Sequence, residues 1–460
     1  MKTTHFTRRD FLKASTLALS AAALPTIIPA SALGGAGKVA PNDRIVVGCI
    51  GVGPQGQGDM GGFLQQKDTQ VVAVCDVKTD QLEIARQAVN RQYGNQDCST
   101  YGDFRQLLAR KDIDACLIAT PDHWHVPVGI AAVRAGKDIY VEKPMGLTMG
   151  EDVALRKEVH RHQRIFQFGT QQRSSRLFRF ACELVRSGKI GQLKHINVWA
   201  PGSSPGGSTK VVPVPSHLNY DMWLGPAPVR PYTEDLCTHD GGKKTWWFNS
   251  AYAVGFLAGW GIHPIDIAVW GADLFSGPIE VEGRGTFYAE GACDTATVWD
   301  LHLKFASGVT MTFVGVPNGG NQGLATCDKW TREAEWKNRY RRITSHGTAF
   351  EGTEGWVHID RDGINLQPEN LIDVNEDSLG TQLVRSSHHQ RNFLDSVRNR
   401  KDTICPIDES VRSDSLCHIS ELAMRLNRKL TWDPKKEQFL DDEEANLRLR
   451  VRKMRSPWQV

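Results

Sequence analysis

An apolar run, Ile45-Val46-Val47-Gly48-Cys49-Ile50, leads directly into Gly51-Val52-Gly53-Pro54-Gln55-Gly56, and this junction constrains the fold more than any other part of the sequence. A G-x-G-x-x-G turn lets the backbone bend tightly and approach a ligand closely, so that a pyrophosphate is received by the N–H groups opening the next helix. Alone, the pattern is weak. A second β-like run, Val71 to Cys75, ends in Asp76, 20 residues beyond Gly56, where an acidic side chain meets ribose hydroxyls. Strand, glycine turn, helix, strand and acid together predict a dinucleotide cradle formed by Gly51, Gly53, Gln55, Gly56 and Asp76. Asp76 would repel a 2′-phosphate, so NAD is expected over NADP, a preference that Lys78 tempers.

At 460 residues the chain exceeds the size at which a single core stops growing, and two domains with appendages are expected. Lys and Arg number 55 against 52 Asp and Glu, a net charge of +3, and the one basic block, Arg448 to Arg455, reads as a solvated terminal face. Nucleic acid is not an implied partner. The N-terminus, Thr7-Arg8-Arg9-Asp10-Phe11-Leu12-Lys13 followed by an Ala-rich run to about Ile28, reads as a twin-arginine export signal with cleavage after Ala32. Beyond it no run approaches about 18 apolar residues, so no membrane span is expected after cleavage. That route carries folded proteins to the periplasm, so a nucleotide cofactor is expected to be loaded beforehand and held tightly.

The ten cysteines are scattered without C-x-x-C pairs and read as buried thiols, with disulfides among Cys98, Cys237, Cys293 and Cys327 left open. His123-x-His125, His160-x-His162 and His388-His389 lack the ligand spacing of metal cages and read as surface or loop histidines; no metal is expected.

Between Pro41 and Phe168, β-like runs (45–50, 71–75, 115–120, 138–141, 165–169) alternate with helical ones (80–89, 128–135, 153–160), which predicts a doubly wound parallel sheet covered on both faces. After Gly169 the segments lengthen and proline-rich loops appear. Strand-like stretches at 194–199, 279–288, 295–305, 309–314 and 356–359 predict a second, α+β domain with a large open mixed or antiparallel sheet, closed by helices over 388–398 and 409–427. The expected organisation is a signal at 1–32, a nucleotide-binding domain at 43–168, a substrate and oligomerisation domain at 169–432 and a tail at 433–460.

In an open parallel sheet ligands gather beyond the carboxyl ends of the strands. Two such exits carry reactive groups: Thr120-Pro121-Asp122-His123-Trp124-His125 and Glu142-Lys143-Pro144. A partly desolvated Lys143 there can orient or deprotonate a hydroxyl. Together with the glycine turn and Asp76, the segments Thr120-Pro121-x-x-x-His125, Ala135-Gly136-Lys137, Glu142-Lys143-Pro144 and Gly352-Thr353-Glu354-Gly355 resemble the Gfo/Idh/MocA family of sugar and inositol oxidoreductases, over about 44–430. The resemblance implies that Thr120, Pro121, His125, Glu142 and Lys143 contact the cofactor, that Lys143 assists a substrate hydroxyl, and that the Lys143–Pro144 bond is cis.

The family also has an Asp and a His four residues apart acting as a proton relay. The matching segment here is Gly259-Trp260-Gly261-Ile262-His263, so His263 aligns with the relay base while glycine stands in place of the acid; Asp266 more often packs than reacts. Trp260, Gln171, Gln172, Arg173, Tyr220, Asp221, Trp223, Trp246 and Trp247 could line a sugar site, aromatic faces suiting pyranose C–H groups and polar groups suiting hydroxyls; the weak bets fall on Gln171 and Tyr220-Asp221. The expectation is an exported NAD(P)-dependent oxidoreductase acting on a hydroxyl of a sugar, glycoside or cyclic polyol. The alternatives are redox-neutral glycoside cleavage through transient ring oxidation, and a non-catalytic sugar sensor. The resemblance further implies a homo-oligomer, a dimer or tetramer.

Overall fold

The computed structural model describes residues 39–40, 43–238, 246–316 and 329–460. The expected export signal and Cys327 lie outside these. Residues up to Arg44 form one unit and Ile45 to Val460 another; in the first, the Arg44 guanidinium holds the Val39 carbonyl at 2.9 Å.

The second unit contains two sheets. Strands β1 (Ile45–Ile50), β2 (Thr69–Cys75), β3 (Ser99–Tyr101), β4 (Ala115–Ile118), β5 (Asp138–Val141) and β6 (Phe166–Phe168) form a six-stranded sheet in the order β3-β2-β1-β4-β5-β6. Every pairing in it is parallel. The central strands are buried along nearly their whole length, as strands covered on both faces must be, which is why they read as unbroken apolar runs. The helix Thr79–Tyr93 buries Leu82, Ala85 and Val89 on one stripe, as their spacing predicts, and ends on Gly94 in the left-handed region. β3 escaped sequence reading because it is a three-residue polar edge strand.

Strands β7 (Leu193–Pro201), β8 (Ile279–Thr286), β9 (Val298–Phe305), β10 (Thr310–Val316), β11 (Gly347–Gly352), β12 (Trp356–Asp360), β13 (Gly363–Gln367), β14 (Leu430–Asp433) and β15 (Gln438–Phe439) form a nine-stranded sheet, β13-β12-β11-β7-β10-β9-β8-β14-β15. It is mixed: β7 and β10 run parallel and the other neighbours antiparallel. β8 and β9 alternate buried and exposed residues over much of their length, so one face carries the core. That face packs on the helices Ile262–Gly271 and Ile407–Leu426. No helix among the described residues is long and apolar enough to cross a membrane.

Three expectations are corrected. His123, His125 and His389 are buried rather than surface histidines: the segment after Pro121 turns straight into a buried helix, Asp122–Arg134, and His389 opens the helix His389–Asn399 with its Nε2 2.8 Å from Phe168 O. The basic terminal segment is not simply solvated: Arg452 Nε bonds the buried Glu151 at 2.6 Å, Arg455 Nη2 holds the Asp221 carbonyl at 2.8 Å, and Trp458 packs 4.7 Å from Trp124. The 433–460 tail also adds β15 to the sheet and a helix, Glu443–Leu449. All nine described cysteines are buried.

Candidate active site

The helix Pro54–Leu64 starts on Gly53 with a proline in its first turn, so one of the N–H groups without an internal partner is absent and the rest face the turn. Each glycine has its own reason. Gly51 has φ of +80° and a Cβ there would lie 2.5 Å from the Ala119 backbone; at Gly56 a Cβ would lie 2.0 Å from the Gly51 carbonyl. At Gly53 a Cβ would meet nothing within 4 Å, so this glycine borders open space that packing does not require. That bare backbone at a helix start suits a pyrophosphate. Asp76 stands beside it, its carboxylate accepting from Val52 N and Lys78 N, both at 2.9 Å. Burial raises its pKa while those N–H groups pull it back. Lys78 turns its ammonium onto the Cys237 carbonyl.

One cleft runs from this turn across the strand ends. Gly51, Gly53, Gln55, Asp76, Thr120, Pro121, His125, Glu142 and Lys143 all line it, and Met222, Trp223, Trp246 and Trp247 face them from the later part of the chain. Gly56 lies beneath it. The proline-rich stretch after β7 forms this opposite wall: Asn219 N bonds Val77 O at 2.9 Å, joining the wall to the end of β2. The residues present therefore fit a dinucleotide.

At the far end of the cleft, the Lys143–Pro144 bond is cis. His125 spans the two strand exits, with ring nitrogens 2.6 Å from Pro144 O and 2.7 Å from Thr120 O; burial lowers its pKa to about 4. Glu142 is buried and accepts from Gln171 Nε2 at 2.7 Å. Asp59, on the first helix, hydrogen-bonds Glu142 and takes Gln55 Nε2 at 3.0 Å. Two adjacent buried carboxyls cannot both ionise freely, and burial with Glu142's charge holds Asp59 well above the usual carboxylate range. Lys143 Nζ donates to the Gly259 carbonyl at 3.1 Å and lies 6.0 Å from the Trp247 ring centre.

Gly259 closes the short helix Phe256–Gly259, and His263 follows in the first turn of the next. His263 is buried, with Nδ1 unpartnered. Burial, then Lys143 and Arg361, push its pKa well below the ordinary histidine value, so it is neutral at neutral pH and able to accept a proton. Trp260 sits beside it, ring centres 5.7 Å apart.

Other candidates lie elsewhere or act indirectly. Gln171 props Glu142 and Tyr140 from below. Asp221 is exposed and pairs with Arg455, and the Tyr220 hydroxyl donates to Pro231 O at 3.3 Å, so neither lines the cleft. Arg173 and Asp266 form a buried bidentate pair, at 2.6 and 2.8 Å. Sequence reasoning missed Asp59, His346 and Arg361, which reach the site by tertiary contact and carry no local motif. Among the described residues, the acid and histidine group close enough to share an ion is Asp152, Asp414 and His418; there the His418 ring bonds Asp152 at 3.1 Å.

Residues 45–170 match the oxidoreductase family profile described as an NAD-binding Rossmann fold, and residues 198–323 and 371–460 match that family's C-terminal α/β domain. The chain is 35% identical over 205 residues to "Glycosyl hydrolase family 109 protein 2" of Shewanella sp. (strain ANA-3), a match over 41% of this chain and 45% of that protein. The chain thus spans under half the length of the curated relatives it matches. Among solved structures, scyllo-inositol dehydrogenase from Lactobacillus casei with NAD(H) and scyllo-inositol superposes with a TM-score of 0.55 at 17% identity, covering 85% of this chain and 99% of that one. The WlbA dehydrogenase from Bordetella pertussis, in complex with NADH and UDP-GlcNAcA, gives 0.59 at 14%, covering 84% and 98%. At such identity these likenesses speak for the fold alone. With both profiles matched in order along most of its length, the chain belongs to the Gfo/Idh/MocA family of oxidoreductases.

Proposed function

We propose that this protein is an exported, NAD-retaining oxidoreductase acting on a hydroxyl of a sugar, glycoside or cyclic polyol. The observation that carries the reading is the placement of Lys143: it lines the nucleotide cleft while its ammonium reaches the Gly259 carbonyl, next to the neutral His263. Bound NAD would supply the hydride acceptor at its nicotinamide ring. Lys143 donates to the substrate hydroxyl and orients it, and His263 takes the hydroxyl proton. Trp246 and Trp247 present rings to the apolar face of a pyranose. Asp76 selects NAD by accepting from the ribose and repelling a 2′-phosphate.

Export rests on Arg8-Arg9 and the run that follows, and a cofactor carried to the periplasm without an exchanging pool has to be held tightly. The reduced cofactor is then reoxidised in a second half-reaction by a carbonyl compound or another electron acceptor. Homo-oligomerisation rests on the family resemblance.

A second reading, redox-neutral glycoside cleavage, is favoured by the name of the relatives at 31–38% identity, glycosyl hydrolase family 109. Transient oxidation at a ring carbon acidifies the neighbouring C–H, that proton and the aglycone are eliminated, water adds across the resulting double bond, and the hydride returns to the carbonyl. Mixing the NAD-loaded protein with a panel of glycosides and polyols separates the two. Lasting absorbance at the NADH band without aglycone release supports the oxidoreductase; released sugar and aglycone without lasting reduction support cleavage. NAD-loaded protein that neither reduces its cofactor nor cleaves any member contradicts both.

A further inference from the structure

The charges around His263 are one-sided. Lys143 and Arg361 both act on it, and where the family's acid would stand there is Gly259, with no side chain. The nearby carboxylates are otherwise engaged: Asp266 is bidentate to Arg173, and Glu142 is bonded by Gln171 and Asp59. Asp362 faces His346 rather than His263.

Arg361 stands at the turn between β12 and β13, exposed along part of its length. The turn is pinned by the buried Asp360, whose carboxylate accepts from Asp362 N at 2.9 Å, Gly363 N at 3.1 Å and Arg342 Nη2 at 2.8 Å. Arg361's guanidinium lies 4.7 Å over the Trp260 ring, and among the described residues it makes no ion pair or hydrogen bond. Trp260 touches His346, ring centres 5.0 Å apart, as well as His263. Two buried nitrogens, His263 Nδ1 and His346 Nε2, are also unpartnered. A guanidinium stacked on an indole, with no protein acceptor among the described residues and two neutral imidazoles for neighbours, is a donor without an acceptor. A neutral sugar closing over it would strip water from the cation and return only hydroxyl contacts, whereas an oxyanion pairs with it through two parallel hydrogen bonds.

We propose that Arg361, stacked on Trp260 beside His346, is an anion subsite, and that the substrate is a sugar bearing an oxyanion substituent, a carboxylate or a sulfate ester. This rests on the sugar oxidoreductase reading and narrows its substrate class. Arg361 holds the anionic group, which leaves Lys143 for the reacting hydroxyl.

The test uses the full mature chain loaded with NAD, and compares a neutral β-glucoside with its glucuronide and its 6-sulfate by calorimetric titration. The anionic members are expected to bind at least about tenfold more tightly than the neutral one. Arg361→Gln is expected to collapse that ratio toward one, and Arg361→Lys to keep a preference for sulfate while losing more of that for the planar carboxylate. Unchanged nucleotide content verifies that each variant is folded. Equal affinity of the wild type for neutral and anionic members overturns the anion subsite alone, as does a ratio that survives Arg361→Gln. If the NAD-loaded protein binds no sugar of any charge, the oxidoreductase reading falls and the subsite with it.

Discussion

Lys143 reaches across the cleft to the main-chain carbonyl of Gly259, at 3.1 Å, the position at which the family resemblance implies the acid of a proton relay. The lysine is thus anchored by backbone instead of by a carboxylate. Its removal takes away the donor that orients the hydroxyl. Lys143→Ala is expected to lower kcat on a proven substrate by roughly 100-fold or more while the nucleotide stays bound. Turnover and nucleotide content of the purified variant check this together.

The space at Gly259 is open enough to restore the acid: a Cβ there would meet only Phe256 Cδ1, at 3.7 Å. Gly259→Asp should therefore fold with a melting temperature close to that of wild type. A carboxylate there would oppose the cations that depress His263, so its pKa should rise.

That shift has a readable sign. In wild type His263 stays neutral below the usual histidine range, so the acid limb of kcat/KM should lie below about pH 6.5, activity falling only as His263 takes a proton. In Gly259→Asp the same limb should move to higher pH. A pH profile of the two proteins measures it.

Gly51 and Gly53 separate folding from cofactor binding. Gly51→Ala would place Cβ 2.5 Å from Ala119 backbone at a positive φ, and should destabilise the fold by about 1–3 kcal/mol. Gly53→Ala meets nothing in the protein, so it should leave denaturant stability almost unchanged while lowering NAD affinity by about tenfold or more, its methyl intruding where the pyrophosphate would lie. Denaturation curves and nucleotide titration distinguish the two variants.

Stability should fall on both sides of neutrality. Burial lowers the pKa of His123 to about 3 and of His125 and His389 to about 4. The unfolded chain binds these protons first, so stability is full above about pH 6.5 and is lost as pH drops below it. His418 behaves oppositely: against burial, Asp152 and Asp414 raise it to about 9. Its contribution is full below about pH 6.5 and is lost as pH rises through 9. His418→Gln should flatten the alkaline fall in melting temperature and leave the acid one.

The parts of this molecule legible in its sequence are those where local chemistry dictates structure. Ile45–Ile50 and Asp138–Val141 form strands with the bounds read from their apolar runs, and the glycine turn, Asp76 and Lys143 all reach one cleft. What the sequence hid depends on contacts distant along the chain. Asp221 lies next to the cleft-lining Met222 and Trp223 yet turns out to Arg455, because the short helix Tyr220–Leu224 buries Trp223 and Leu224 and leaves the opposite side to solvent. His346 precedes β11 and Arg361 follows β12, so the antiparallel pairing of these strands brings the two to the same end, where neither is marked by a motif. Asp59 sits one turn beyond the glycines, and only its contact with Glu142 shows that it belongs to the site.

A dinucleotide resident between the glycine turn and Lys143 is tested most directly by purifying the protein, denaturing it and identifying what is released. NAD or NADH is expected, near one per chain, retained through purification. Protein that releases no nucleotide and shows no affinity for added NAD would contradict it.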